Sequence, residues 1–305
     1  MKSTLLEVIY IIAGLIAVMT AFHALKDENH PSKVGTALFW GLLGFVFIVG
    51  KYIPDYMVGV ILLLMGCITA MKKVSFGSQS NAPEKEREAS AQKLGNLLFW
   101  PALTIGVVAF FFGQFVKSLG GLVGLGAGAI LATLFALAIT KAKPSRATYD
   151  GSRLLQQVGS ASILPQLLAA LGSLFAAAGV GEVISGGIGG IITEGNILAA
   201  VIAYCLGMAV FTMIMGNAFA AFAVITAGIG MPFVMSQGAN PAIAGILALT
   251  AGYCGTLMTP MAANFNIVPA AVLETENKYR VIISQLPFAL SLWAVHVVLM
   301  YTLAF

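Results

Sequence analysis

The chain has 305 residues, of which 59% are hydrophobic and only 9% are charged. A soluble domain carries roughly 25% charged residues and needs them at its surface to stay dispersed, so this composition excludes a soluble enzyme or binding module and predicts a chain solvated mostly by lipid. The formal net charge of +4 does not indicate nucleic-acid binding, because the lysines and arginines stand in short segments between apolar runs.

Five apolar segments in the first half are candidates for membrane-spanning helices, which need about 20 apolar residues. The first segment has no small-residue cleavage site, so we expect a retained span and not a cleaved signal peptide. The five segments cover residues 5–25, 34–50, 54–71, 94–116 and 120–140.

The lysines and arginines of residues 1–158 predict the orientation in the membrane, because short cytoplasmic loops are enriched in both. If the N-terminus is outside, the outer side carries only Lys2, Lys51 and Lys117, and the other basic residues of this half fall in three inner segments, 26–33, 72–93 and 141–158. We therefore expect a multi-pass inner-membrane protein with its N-terminus outside. The segments 72–93 and 141–158 are predicted to be cytoplasmic loops.

The second half is interrupted by Gly, Pro and polar residues. Between about 160 and 195 each apolar piece is shorter than a span and the pieces are joined by glycines, a pattern typical of a re-entrant helical hairpin. Further apolar runs follow at 196–215, 218–235, 242–255 and 281–303. The predicted fold class is an all-α polytopic membrane protein with about 8–10 transmembrane or re-entrant segments, including a hairpin and broken helices in the second half.

This contrast between the halves predicts two domains. Residues 1–158 form a scaffold of plain transmembrane helices with cytoplasmic loops. Residues 159–305 form a substrate-handling part with the hairpin and the discontinuous helices.

The stretch 195–273 contains no Asp, Glu, Lys, Arg or His, but it is rich in Asn, Thr, Ser, Gly and Pro. In lipid every backbone polar group must be satisfied, so breaks at membrane depth need buried protein or a wet cavity around them. The N-terminal end of a broken helix carries partial positive charge and can hold a carboxylate without an Arg or Lys. The carbonyl end, with Asn or Thr side chains, can hold a cation such as Na⁺.

The strongest candidate for a binding segment is 255–266, where Pro260 interrupts the helix; a second break occurs at Gly216. The hydroxyl and amide groups around these breaks are the predicted substrate ligands, namely Asn217, Thr256, Thr259, Asn264 and Asn266. The alternative is that these side chains only hydrogen-bond neighbouring helices. The hairpin tip, from Ser160 to Gln166, is a weaker candidate.

Two carboxylates, Glu182 and Glu194, flank the second arm of the predicted hairpin. A carboxylate inside a membrane is a functional hypothesis, but both stand beside glycines and an interface position explains them as well, so their role stays open. The glycine-rich stretch 186–190 is not predicted to be a phosphate loop, because no strand precedes it and no Lys follows it. No metal cluster or nucleophile–base pair can be assembled, so we expect no enzyme and no cofactor beyond a coupling ion, Na⁺ or H⁺.

Two segments, Met215–Phe222 and Gly252–Asn266, together with the charged loop and the overall length, carry a family resemblance. Over nearly the full chain, the sequence resembles the larger subunit of the two-component permeases found beside bacterial 5-oxoprolinase genes, which are named 5-oxoproline transporter subunits. More distantly, about 155–275 is similar to the ion transporter superfamily of carboxylate and citrate carriers. The resemblance implies a small organic anion as substrate and a second, different membrane subunit as partner.

Residues 1–150 depart from the pattern of a complete superfamily member. Such carriers have two inverted repeats, each with a hairpin and a broken helix, whereas here only the second half has them. The chain therefore looks like half of a transporter that imports an organic anion by ion-coupled alternating access. The rival hypotheses are a non-transporting assembly or sensory subunit, a homodimeric carboxylate transporter acting alone, and an intramembrane enzyme.

Overall fold

The computed structural model describes residues 2–190, 192 and 195–305. The chain divides into two compact units, Met1–Gly159 and Ser160–Phe305. No strand occurs in either unit among these residues. The boundary lies beside the predicted division at 158/159, although the roles of the two halves stay predictions.

The first unit is built from helices that coincide with the five predicted spans. Only α4 and α7 are polar, and the segment 141–158, which was predicted to be a loop, is mostly the amphipathic helix α7. The helices are α1 (Lys2–Lys26), α2 (Lys33–Val49), α3 (Asp55–Ala70), α4 (Glu84–Leu94), α5 (Trp100–Phe115), α6 (Gly120–Thr140) and α7 (Pro144–Val158).

Helix α7 buries polar side chains against α1 and the loop that follows it. Ser152 Oγ lies 2.7 Å from His23 Nδ1, and Gln156 Oε1 lies 3.2 Å from His30 Nε2. Ser152 and Gln156 are both buried. Buried polar groups are costly unless they are paired, so these hydrogen bonds explain why a helix of such polar composition packs here.

The loop between α1 and α2 is also tied to the segment 71–83. Asp27 accepts hydrogen bonds of 2.6 Å from both the backbone N–H and the hydroxyl of Ser78. Burial acts to raise the pKa of Asp27, but these hydrogen bonds outweigh it and the pKa lies below its ordinary value. The three segments that the charge pattern assigns to one side of a membrane therefore meet at one end of this unit. Near the other end, Glu7 pairs with Lys51 at 2.9 Å.

The second unit contains interrupted helices. Its elements are α8 (Leu164–Ala177), α9 (Val180–Gly189), α10 (Ile197–Met215), α11 (Ala218–Ile225), a π-helical segment (Thr226–Val234), α12 (Pro241–Leu257), α13 (Ala263–Val272) and α14 (Arg280–Leu303). The π-helical segment was not predicted. It contains Pro232, which cannot donate a backbone hydrogen bond and disturbs a regular α-helix.

Helices α10, α12 and α14 form the core of this unit. Small residues allow close approach: a Cβ on Gly255 of α12 would lie 2.2 Å from the carbonyl oxygen of Ala209 on α10. The N–H of Asn240, before α12, donates to the carbonyl of Ala304 at 2.7 Å, so the end of α14 meets the start of α12. Such close glycine contacts are typical of helices packed in a membrane.

Helices α8 and α9 differ from the predicted re-entrant hairpin. Their glycines pack in chain order against α11 and the π-helical segment, with Gly172 near Ala220, Gly181 near Gly228, and Gly189 near Phe233. The two helices therefore run in the same direction and form one kinked crossing. The glycines that suggested a hairpin serve instead to bring two helices close together.

The hydropathy of the helices settles the broad class. Among the described residues, eight helical stretches are long and apolar enough to cross a membrane, and α3, α12 and α13 are shorter apolar helices. The chain is an all-α polytopic membrane protein, as its composition predicts.

Candidate functional site

A cavity of about 260 Å³ lies in the second unit where three helices begin. These helices are α8, α11 and α13, and the first turn of each one contributes to the cavity wall. The lining residues are Pro165, Gly216, Asn217, Ala218, Phe219, Tyr253, Thr256, Asn264 and Phe265. The predicted breaks in the second half are therefore brought together in space.

The turn between α10 and α11 forms at Gly216 and Asn217. Gly216 has a φ of +65°, and a Cβ there would lie 2.5 Å from the carbonyl oxygen of Met261, so both the conformation and the space require glycine. Asn217 then caps α11, because its Oδ1 accepts a hydrogen bond of 2.8 Å from the N–H of Phe219. The turn thus fixes the Asn217 amide at the cavity.

The interruption between α12 and α13 is held by Asn266 and Thr259. Asn266 Nδ2 donates to the carbonyl oxygens of Thr256 and Thr259, both at 2.7 Å. The Thr259 hydroxyl donates to the carbonyl of Met213 at 2.8 Å, which ties the interruption to α10. Backbone carbonyls that the break leaves without helical partners are satisfied in this way.

We expect Asn266→Ala to lower the free energy of unfolding by roughly 1–4 kcal/mol, because it leaves two carbonyls without their buried donor. The measurement is the thermal unfolding midpoint of the full chain purified in mild detergent. Asn264→Ala is the matched control, since no hydrogen bond from the Asn264 side chain occurs within the described chain. Equal midpoints for the two variants would contradict the positioning role of Asn266.

The electrostatics of the cavity come from backbone groups and neutral side chains. None of its described lining residues is charged. Helix α13 begins at Ala263 without a side-chain cap. The N–H of Phe265 donates to the carbonyl of Ala262 at 3.0 Å, which leaves the N–H groups of Ala263 and Asn264 for another acceptor. A helix N-terminus carries partial positive charge and binds anions. The uncapped start of α13 is therefore chemically suited to an anionic group.

The five predicted ligands divide into two groups. Asn217, Thr256 and Asn264 line the cavity, whereas Thr259 and Asn266 do not line it and are both buried. The contacts described above favour a positioning role for these last two residues. Direct binding by the other three stays a prediction.

Of the remaining candidates that the structure describes, Glu182 and most of the predicted hairpin tip do not line the cavity. Glu182 stands in the first turn of α9, and Glu194 lies outside the described residues. Of the predicted hairpin tip, only Pro165 lines the cavity. Within the described chain, no group of three His, Cys, Asp or Glu side chains is placed to hold a metal ion.

The aromatic part of the lining was not predicted. Phe219 and Tyr253 form an edge-to-face pair with ring centroids 6.1 Å apart, and Phe265 lies on the α13 side of the cavity. Each stands one to three residues from a predicted polar ligand. These aromatic residues could have been predicted from their proximity to the helix breaks, because residues next to a break line the same cavity.

Comparisons with known proteins identify the family of this chain. Neither the search of curated proteins nor the search of solved structures gave a match. A family model described as "Protein of unknown function (DUF979)" matches residues 7–305. The chain belongs to this family.

Proposed function

We propose that this chain is one subunit of a secondary transporter that imports a small organic anion. The observation that carries the proposal is the uncharged cavity at the starts of α8, α11 and α13, with three of the five predicted polar ligands in its wall. Such breaks at membrane depth are typical of transporters, in which half-helix N-termini face anionic substrate groups.

The size and lining of the cavity favour a small substrate that is part polar and part apolar. Sites for drug-sized ligands measure about 300–1,000 Å³, and this one, at about 260 Å³, is smaller. The resemblance nominates 5-oxoproline. Its carboxylate would accept from the N–H groups at the start of α13, its ring amide would bond to Asn217 or Asn264, and its methylene groups would contact Phe219 and Tyr253.

Alternating access would be coupled to Na⁺ or H⁺, and the chain would act in the inner membrane with its N-terminus outside. The proposal does not include catalysis, because the described lining residues offer hydroxyls, amides and aromatic rings but no acid–base pair. The chief rival hypothesis is an assembly or sensory subunit that transports nothing. Such a subunit would have the same fold, so only a transport measurement distinguishes the two hypotheses.

The test is uptake of radiolabelled 5-oxoproline by membrane vesicles that contain this chain and its companion subunit. We expect an imposed Na⁺ or proton gradient to drive uptake. Excess unlabelled 5-oxoproline should compete, whereas 2-pyrrolidinone, which has the same ring without the carboxylate, should not. Vesicles with both subunits that accumulate no organic anion would refute the proposal, and equal competition by 2-pyrrolidinone would refute the anionic site.

A further inference from the structure

An apolar groove runs between α1 and α6 in the first unit, away from the cavity described above. It has a volume of about 310 Å³, and α1 lines it with Ile9, Ile12 and Ile16. At Gly126 the two helices approach so closely that a Cβ would lie 2.4 Å from Ile9. Beyond this contact the small side chains of Ala13 and Ala129 leave the groove open.

The groove leads along α6 into a polar cleft. Thr133 of α6 lines both spaces. The cleft measures about 520 Å³ and is bounded by α4, α6 and α7, with Arg87 and Arg146 among its lining residues. The stripe from Gly126 to Thr140 is about 21 Å long at 1.5 Å per residue, so an extended ligand can reach from the apolar groove to the arginines.

Charged side chains of both signs line the polar end, and the cations exceed the carboxylates by one when the neighbouring space is included. The carboxylates in the cleft are Glu86 and Asp150, and Asp150 is shared between Arg146 at 3.3 Å and Arg153 at 3.9 Å. A neighbouring space of about 420 Å³ is lined by Arg146 and Lys143. Three cations, Arg87, Lys143 and Arg146, therefore line the two spaces, against two carboxylates.

We propose that the groove and cleft together bind one anionic phospholipid. Arg87 and Arg146 hold its phosphate, since guanidinium groups form paired hydrogen bonds to phosphate oxygens. One acyl chain lies in the groove between α1 and α6. A free phosphate would use the arginines but leave the groove unoccupied, so the combination of an apolar groove and a cleft with two arginines selects a lipid. Basic pockets between transmembrane helices recognise lipid headgroups in this way.

Native mass spectrometry of the full chain, delipidated in detergent and then given phosphatidylglycerol or phosphatidylcholine, tests the proposal. We expect one phosphatidylglycerol to be retained at least about tenfold more strongly than phosphatidylcholine. The double variant Arg87→Gln/Arg146→Gln should abolish the preference, and Lys85→Gln, a charge on α4 outside the cleft, should not.

A second pair of variants tests the groove. Ala129→Phe fills it and should weaken retention of phosphatidylglycerol about tenfold, whereas Ala138→Phe, an exposed position of α6 outside the groove, should have no effect. Retention that is equal for the two lipids, or that is unchanged in both the double arginine variant and Ala129→Phe, would overturn the proposal. Weakening by Ala138→Phe as strong as that by Ala129→Phe would also do so, because it would show lipid bound along α6 without the groove.

Discussion

Asn264→Ala is expected to reduce substrate uptake by roughly 10- to 150-fold, the loss of about 1.5–3 kcal/mol for a hydrogen bond to a charged ligand. Asn264 lines the cavity at the start of α13, it is exposed, and its amide makes no hydrogen bond with the described chain. A polar group kept unpaired beside an uncapped helix start is suited to a ligand. Its removal should therefore affect transport and leave the thermal unfolding midpoint unchanged.

Thr256→Val is the companion variant, because valine keeps the shape of threonine and removes only the hydroxyl of this lining residue. The Thr256 hydroxyl donates to the carbonyl of Tyr253 at 2.6 Å, so its oxygen can still accept a hydrogen bond. Uptake at several substrate concentrations, corrected for the amount of protein in the membrane, is the measurement. Asn96→Ala, at an exposed asparagine of the first unit, is the control.

The outcomes separate the two hypotheses for these residues. Weaker apparent affinity with a normal unfolding midpoint supports ligand binding. Loss of the protein from the membrane would support the alternative in which the polar groups only hold helices together. Normal uptake by both Asn264→Ala and Thr256→Val would show that this cavity is not the substrate site.

The plain helices could be predicted from the sequence because lipid imposes a simple rule on them. A run such as 120–140 must be apolar along its length to cross a bilayer, and α6 has the same bounds. The breaks at Gly216 and Pro260 were predictable for a related reason, since glycine and proline at that depth interrupt the hydrogen-bond ladder.

The direction of the chain after a glycine could not be predicted. Gly179 has a φ of +70°, a conformation that can begin either a reversal or a kink. Gly172 and Gly181 contact α11 and the π-helical segment, and these contacts favour a kink over a reversal. They join residues far apart in the sequence, so no local pattern predicts them. For the same reason α7 was taken for a loop, because its polar residues are paired with His23 and His30 across the unit.

The sequence predicts which polar residues surround the site, but not which of them line the cavity and which only hold the helix break in place. Polar residues near a break were expected to bind substrate, and Asn264 and Asn266 are only two positions apart. On a helix, residues two apart point in different directions. Asn264 therefore lies at the cavity and Asn266 is buried behind it. The register of a short helix such as α13 cannot be read from its sequence when both faces carry amides.

Transport is expected to require a second, different membrane subunit. The interrupted helices that line the cavity all lie in the second unit, whereas α1, α2, α3 and α6 of the first unit are continuous helices. Alternating-access sites built from two inverted repeats take ligands from both repeats. One chain would thus supply one set of breaks, and a partner would supply the other.

The exposed side of the cavity points to the same requirement. Phe219 and Phe265 are 65% and 50% exposed beside the exposed amide of Asn264. An unpaired amide facing hydrocarbon costs several kcal/mol, and a partner that covers this side would remove the cost. The isolated chain should therefore be degraded, poorly stable in detergent, or forced to pair with itself.

Purification in mild detergent, with and without co-expression of the predicted partner subunit, distinguishes these states. We expect a stable complex of two different polypeptides, and uptake only when both are present. A point variant at the exposed side, Phe219→Lys, should break the complex and leave this chain in one of these isolated states, and Phe288→Lys, at a 70% exposed side chain of α14, is the matched control. A homodimer that transports by itself would support the carboxylate carrier acting alone. Robust uptake by this chain reconstituted as a monomer in liposomes would show that the requirement for a partner is wrong, because a single set of broken helices would then suffice for transport.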